Sequence, residues 1–364
     1  MHDELAAILE EAIAEPAFPG AVLWLAHDES VIVHEACGTT AYEDAISRPV
    51  RCDTCYDIAS LSKLFTATAF LIAMRATSTD VNTPLAQFLP EFDTDDKRAI
   101  TLRQLLNHTN GLGLHIQTLT DVPHDEWIAR IAAAPLRSAP GDEVYYTCTS
   151  YFLLARVIES LVAQPLDRFI DAQLLQPLGM QATFRPLDRW KPDEITSHIA
   201  PTEIDEASGQ PWHGVVHDEA ARAWSTATES ACGNAGLFAT AQDLALLARL
   251  WLDDGAFEGR QILHPIDVRK ALTDTVTEDN IRRGWCWQID APSFMSEMAP
   301  PGSAGHTGFT GPTLWLNPTT RHVAIILENR VCPTRHGPNR MPYHRRIAEW
   351  LLQTRNMEDG TRKG

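Results

Sequence analysis

The residues with the clearest chemical potential are Ser60 and Lys63, in the run Ser60-Leu61-Ser62-Lys63. Residues three apart on a helix share a face, so Lys63 can reach the Ser60 hydroxyl. A helix N-terminus carries partial positive charge, which favours an alkoxide forming on Ser60. A lysine in water is protonated and cannot act as a base. Burial disfavours its ammonium form, so the sequence predicts a free amine at Lys63 that takes the serine proton. The chemistry is nucleophilic acyl transfer by a serine–lysine pair, a variant of triad logic. A helix-capping serine beside a solvated lysine would give the same four letters.

Two further segments bring suitable groups. Tyr146-Thr147-Cys148 precedes a helix predicted over 151–161. At its mouth the Tyr146 hydroxyl can relay protons between Ser60, Lys63 and a leaving group. Gly305-His306-Thr307-Gly308-Phe309-Thr310-Gly311 is glycine-rich, which lets backbone approach a ligand closely. The N–H groups of Phe309 and Ser60 are candidate donors to an oxyanion. An ordinary half-buried tyrosine and a β-bulge are the bland readings of these two stretches.

These three segments follow the order S-x-x-K, Y-x-N, K-T-G. On that trio the chain resembles the class C β-lactamases, the D-alanyl-D-alanine carboxypeptidases and their esterase relatives. Ile100 to Leu112 (ITLRQLLNHTNGL) is similar to a family landmark, as are Leu89-Pro90-Glu91-Phe92, Pro177-Leu178-Gly179-Met180 and Ala235 to Leu244. The resemblance spans almost the whole chain. It implies an α+β fold of the β-lactamase/penicillin-binding-protein type. It also implies Ser60, Lys63 and Tyr146 as catalytic residues, with Cys148, His306, Thr307, Gly308 and Phe309 around the substrate. Two departures matter. Cys148 stands where the family has an asparagine that binds the substrate amide. His306 stands where the family has a lysine beside the substrate carboxylate. The esterase-like relatives often carry His-Thr-Gly, and a neutral His306 is expected to donate to Tyr146 or to an acyl oxygen. The departures favour a carboxylesterase-type hydrolase cleaving small acyl esters through an acyl-enzyme on Ser60. The alternatives are a β-lactamase or D-amino-acid peptidase or amidase, an acyltransferase using the same acyl-enzyme, and a non-catalytic acyl-binding sensor.

The elements that must position these residues can be read from periodicity. Residues 4–15 have helical spacing, and strands are expected over 21–26 and 31–34. Leu61 to Ala76 reads as a buried helix opened by Ser60. The middle of the chain is helical in pieces, at 102–106, 126–134 and 151–161, with a polar, irregular stretch over 186–230 that is expected to cover a cleft. Residues 241–252 form an amphipathic helix. Strands are expected over 284–289, 314–316 and 322–327, and a last helix over 343–354. Strands at both ends predict one antiparallel sheet built from the two termini and flanked by helices. The expected organisation is a single catalytic unit over 1–364. An α/β lobe takes about 1–75 plus 240–364, and a mostly helical lobe of about 76–239 is inserted in it.

Composition narrows the partners. The formal net charge of −18 leaves no electrostatic footprint for nucleic acid or an anionic membrane. The longest apolar run, 64–76, is too short to span a bilayer. The acidic N-terminus and the seven scattered cysteines suggest a cytoplasmic protein with free thiols. Cys52-Asp53-Thr54-Cys55 lacks a second pair or a thioredoxin-like setting. His213 and His217 have zinc-like spacing, but Gly214 and two valines make a poor helix there. No metal or cofactor is expected, and the expected partner is a small-molecule ester or amide.

Overall fold

The computed structural model describes residues 2–43, 46–278 and 281–361. Its frame is an eight-stranded sheet of β1 (Gly20–His27), β2 (Ser30–Gly38), β3 (Val276–Glu278), β4 (Ile281–Arg283), β5 (Gln288–Ile289), β6 (Ala304–Thr307), β7 (Thr313–Leu316) and β8 (His322–Glu328). The order is β2-β1-β8-β7-β6-β5-β4-β3, and every pairing is antiparallel. The N-terminal hairpin therefore closes on the last strand of the chain, with Leu23 opposite Ile326.

Side chains along a strand alternate between faces, and here both faces are covered. Leu23, Leu25 and Ile326 pack with α1 (Asp3–Ala14) and with α6 (Met341–Thr361), through Leu5, Leu9, Ile347 and Leu351. Val22, Ile325 and Leu327 face the opposite way, into the main core. That core takes in α2 (Ser62–Ala76), α3 (Cys148–Val162), α4 (Glu219–Thr228) and α5 (Ala241–Leu252). Burial on both faces explains why β8 reads as an unbroken apolar run. The nucleophile helix α2 is buried nearly all round, from Ser62 and Lys63 to Met74, so its sequence lacks a polar stripe.

The antiparallel sheet with flanking helices is the expected fold class, and three local readings are revised. Ser60 lies in a single 3-10 turn, Ala59–Leu61, ahead of α2. The stretch 284–289 is not one strand. It is broken between β4 and β5, where Trp285 N–H donates to the Ala271 carbonyl and Cys286 N–H to that of Leu106. The kink buries Trp285, Cys286 and Trp287 among the helices. The stretch 186–230 is less irregular than expected, because Asp218 caps α4 by accepting from Ala221 N–H at 2.8 Å.

Leu64 is fully buried in α2. Leu64→Ala is expected to cost about 2–5 kcal/mol through lost burial and a cavity. A urea titration should show an earlier midpoint with an unchanged slope.

Candidate active site

Ser60 reaches its position through a strained backbone. Ala59 has φ +44°, a region unfavourable for a residue with a Cβ. Its N–H is fixed by Asp57 Oδ1 at 2.9 Å, while Asp57 Oδ2 accepts from His217 N–H at 2.8 Å. Tyr56–Asp57 also pair with Phe238–Ala239, which sets the 233–239 segment against the start of α2. There Leu237 N–H donates to Ser62 Oγ at 3.1 Å, and Thr66 Oγ1 donates to the Gly233 carbonyl at 2.7 Å.

Lys63 is wholly buried. Its Nζ lies 2.9 Å from Ser60 Oγ, 2.9 Å from the Asn234 carbonyl and 3.8 Å from Cys148 Sγ. Burial alone would push this group down. Cys148, Tyr146, a hydrogen bond to Tyr146 and the Asp218 carboxylate outweigh it, so Lys63 is held above its ordinary value. The acceptors around Nζ thus work against the free amine expected from burial. The site supplies acceptors for an ammonium along with low polarity.

Tyr146 Oη donates to Ser60 Oγ at 2.9 Å. The ring is bracketed by two cations, with Lys63 Nζ and the Arg283 guanidinium each 5.1 Å from its centroid. It also lies 4.6 Å from the ring of His108, which burial holds well below the usual histidine range. Lys63 Nζ and Tyr146 Oη thus meet at Ser60 Oγ, the first of them as the i,i+3 spacing suggested.

The Gly305–Gly311 segment runs beside them. Gly308 packs so closely that a Cβ there would lie 2.6 Å from the Ile58 carbonyl. The backbone approach that glycine allows is to the nucleophile turn, not only to a ligand. Phe309 N–H meets no acceptor among the described residues. The first N–H groups of a helical turn lack internal acceptors, which leaves the Ser60 amide available as well. His306 behaves differently from expectation. Burial, with Lys63 and Arg283 nearby, pushes it down to about 3, so it is neutral. Its Nδ1 lies 2.9 Å from the Thr307 carbonyl, which can only accept. The ring proton therefore sits on Nδ1, and Nε2 is left as an unpartnered acceptor. His306 offers no proton to Tyr146.

These groups open onto a cavity of about 710 Å³, lined also by Cys148, His217, Asp218, Arg283 and Arg335. A second cavity of about 360 Å³ around Arg185, Arg222 and Cys232 is not lined by Ser60. His217 bonds Glu203 at 2.9 Å and stacks on Phe309 with ring centroids 5.6 Å apart. His213 and His217 lie outside any helix, and no set of three metal-ligating side chains is gathered among the described residues. All seven cysteines are free thiols, including Cys52 and Cys55. Among the described residues no helix is long and apolar enough to cross a membrane. Asp57, His108, Asn234 and Arg283 were not singled out from sequence. Two of them were within reach, since His108 and Asn234 lie in or beside segments that carry the family resemblance.

The fold and the serine-centred cleft define a class, the β-lactamase-like serine hydrolases. The chain matches the family model described as Beta-lactamase over residues 5–349, and it belongs to that family. A relative from Escherichia coli K12, provisionally named a D-alanyl-D-alanine carboxypeptidase, is 27% identical over 350 residues, which cover 86% of this chain and 79% of its own. EstCE1, described as a hydrolase with promiscuous acyltransferase activity, superposes with a TM-score of 0.76 at 20% identity, covering 95% of this chain and 97% of its own. A class C β-lactamase from Rhodobacter sphaeroides gives 0.73 at 18% identity, covering 98% and 99%.

The cleft wall carries a pH-dependent brace. Burial opposes charge on Glu203, but its hydrogen bonds to Arg335 and the nearby His217 outweigh that and bring the carboxyl from 4.5 down to about 2. A depressed carboxylate adds stability that is complete above its unfolded value and is lost as pH falls through the folded one. Urea midpoints of the wild type should therefore fall between about pH 4.5 and about pH 2. Glu203→Gln should lower the midpoint at pH 7 and flatten that fall; an unchanged profile would remove Glu203 from the brace.

Proposed function

We propose that the chain is an esterase-type serine hydrolase that cleaves small acyl esters through an acyl-enzyme on Ser60. The observation that carries this reading is the convergence of Lys63 Nζ and Tyr146 Oη on Ser60 Oγ, both at 2.9 Å. With Lys63 charged, it orients the serine and does not take its proton. Tyr146 Oη, which donates its own proton to Ser60 Oγ in the resting geometry, is then the acceptor once that proton has left to solvent through the cavity, with Lys63 and Arg283 each 5.1 Å from its ring. Ser60 Oγ bonds to the acyl carbon while its proton passes to Tyr146. The carbonyl oxygen takes the developing charge at the amides of Ser60 and Phe309. The bond to the leaving alkoxide breaks, and Tyr146 returns the proton to it. Water then repeats the sequence and releases the acid, regenerating Ser60.

The substrate side supports an ester. Cys148 is a weak hydrogen-bonding partner for an amide, and neutral His306 supplies no charge for a carboxylate. Two unmet polar partners cost roughly 2–6 kcal/mol of transition-state binding, about 30-fold to over 10⁴-fold in rate. Arg283 favours a second reading. It is a cation in the same cavity, ion-paired with no carboxylate among the described residues, and it can meet a substrate carboxylate in place of the missing lysine. On that reading the chain cleaves D-amino-acid amides or lactams.

One panel separates the readings. Ser60→Ala should abolish both hydrolysis and labelling by a fluorophosphonate probe, with the fold intact. The wild type should turn over p-nitrophenyl butyrate with a kcat/KM at least about tenfold above that for nitrocefin or a D-alanyl amide. The reverse ranking would favour the Arg283-based reading. Labelling retained in Ser60→Ala would remove the nucleophile assignment.

A further inference from the structure

The loop that presents the Phe309 amide is held from behind by arginines. Arg340 Nη2 donates to the Gly308 carbonyl at 2.9 Å, and Arg340 Nε donates to the Gly311 carbonyl at 3.0 Å. Arg330 Nη1 donates to the Phe309 carbonyl at 2.9 Å. The Thr310 hydroxyl is tied to the Asp57 carbonyl at 2.7 Å, next to the nucleophile turn.

The peptide bond makes the first of these contacts matter. The Gly308 carbonyl and the Phe309 N–H belong to one planar trans unit and point in opposite directions. A donor fixed on that carbonyl therefore fixes the direction of the Phe309 N–H on the other side. That N–H has no acceptor among the described residues, and Gly308 and Phe309 both line the cavity with Ser60. Arg340 is itself fixed. It is almost fully buried, and its Nε lies 2.8 Å from Glu328 Oε1, at the end of β8. Because the Nε–H points at Gly311, this contact is an ion pair rather than an aligned hydrogen bond. Glu328 Oε2 accepts the Arg330 N–H, so one carboxylate anchors both arginines. Gly311 lies directly on it: a Cβ there would come within 2.3 Å of the Glu328 side chain.

We infer that Arg340, seated on Glu328, is a positioning residue that aims the Phe309 N–H at the oxyanion. The inference rests on the acyl-enzyme reading above. It assigns Arg340 no contact with the reacting atoms. Lysine keeps the charge but lacks the planar fork that reaches two carbonyls, so it is not a neutral replacement.

The test compares wild type, Arg340→Lys, Arg340→Gln and Glu328→Gln, with active sites titrated and thermal midpoints recorded. Two rates are read: steady-state hydrolysis of p-nitrophenyl butyrate and second-order labelling of Ser60 by a fluorophosphonate. Misaiming one oxyanion donor should lower kcat by about 10- to 100-fold with KM changed by less than about threefold. Labelling should slow in the same proportion, because its phosphoryl oxygen uses the same donors. Arg340→Lys should fall between wild type and Arg340→Gln. A purely structural arginine would lower the thermal midpoint and leave kcat per titrated site unchanged, and that result overturns the inference. Should Arg340→Gln fail to fold, Arg340→Lys decides alone, and a kcat within about twofold of wild type overturns the inference. Wild type that neither labels nor hydrolyses the ester refutes the hydrolase reading instead, which keeps the two failures apart.

Discussion

A fully buried lysine must find acceptors or lose its charge, and the site is arranged around that requirement. Lys63 Nζ has Ser60 Oγ, the Asn234 carbonyl and Cys148 Sγ within reach, with Tyr146 alongside. The Asn234 carbonyl is in place only because the 233–237 segment is tied to α2 through Thr66 and Ser62. That segment is in turn placed by the pairing of Phe238–Ala239 with Tyr56–Asp57, the residues leading into Ser60. The charge on Lys63, the direction of the Ser60 hydroxyl and the path of two distant chain segments are one structural problem with one solution.

The cleft's electrostatics run against those of the whole molecule. The chain carries a formal charge of −18, yet Arg283, Arg330, Arg335 and Arg340 line the cavity against the acids Asp218 and Glu219. Much of that positive charge is spent internally. Arg335 bridges Glu203 and Glu219, and Arg340 pairs with Glu328. Burial pushes Glu328 up to about 7 even with Arg340 beside it, which marks how poorly solvated this corner is. Arg283 stands apart, beside Tyr146 and without a carboxylate among the described residues. The cavity thus combines a cation near the proton carrier with a neutral imidazole that offers only a lone pair.

Much of this was legible in the sequence, and the reasons are physical. Strands β1, β2, β7 and β8 and the amphipathic α5 follow hydrophobic periodicity, whereas the short β3 and β4 were not expected. The S-x-x-K spacing puts Lys63 beside Ser60. Tyr146, 86 positions from Ser60, was marked by its place before a helix and by the family resemblance. Two readings change once neighbours that periodicity does not reveal are taken into account. Burial was expected to neutralise Lys63, but burial and acceptors act in opposite directions, and the acceptors come from 85 and 171 residues away. His306 was expected to donate, but its ring proton is claimed by the carbonyl of the next residue. Asp57, Glu328 and Arg340 gave no sequence signal at all. Each is a single polar residue whose role exists only once remote segments meet, as when Arg340 reaches Gly308 across 32 positions. The broken strand at 284–289 belongs to the same group, since helix carbonyls at Leu106 and Ala271 capture its amides.

The charge of Lys63 in the free enzyme decides which group acts as the base. Selective ¹⁵N labelling of lysine, with Lys63→Met used for assignment, allows the number of protons on its Nζ to be read directly by nuclear magnetic resonance. The acceptors at Ser60, Asn234 and Cys148 predict three protons from about pH 6 to about pH 9, in line with the raised direction of the group. An amine with two protons in that window would contradict it, and would return the role of base from Tyr146 to Lys63.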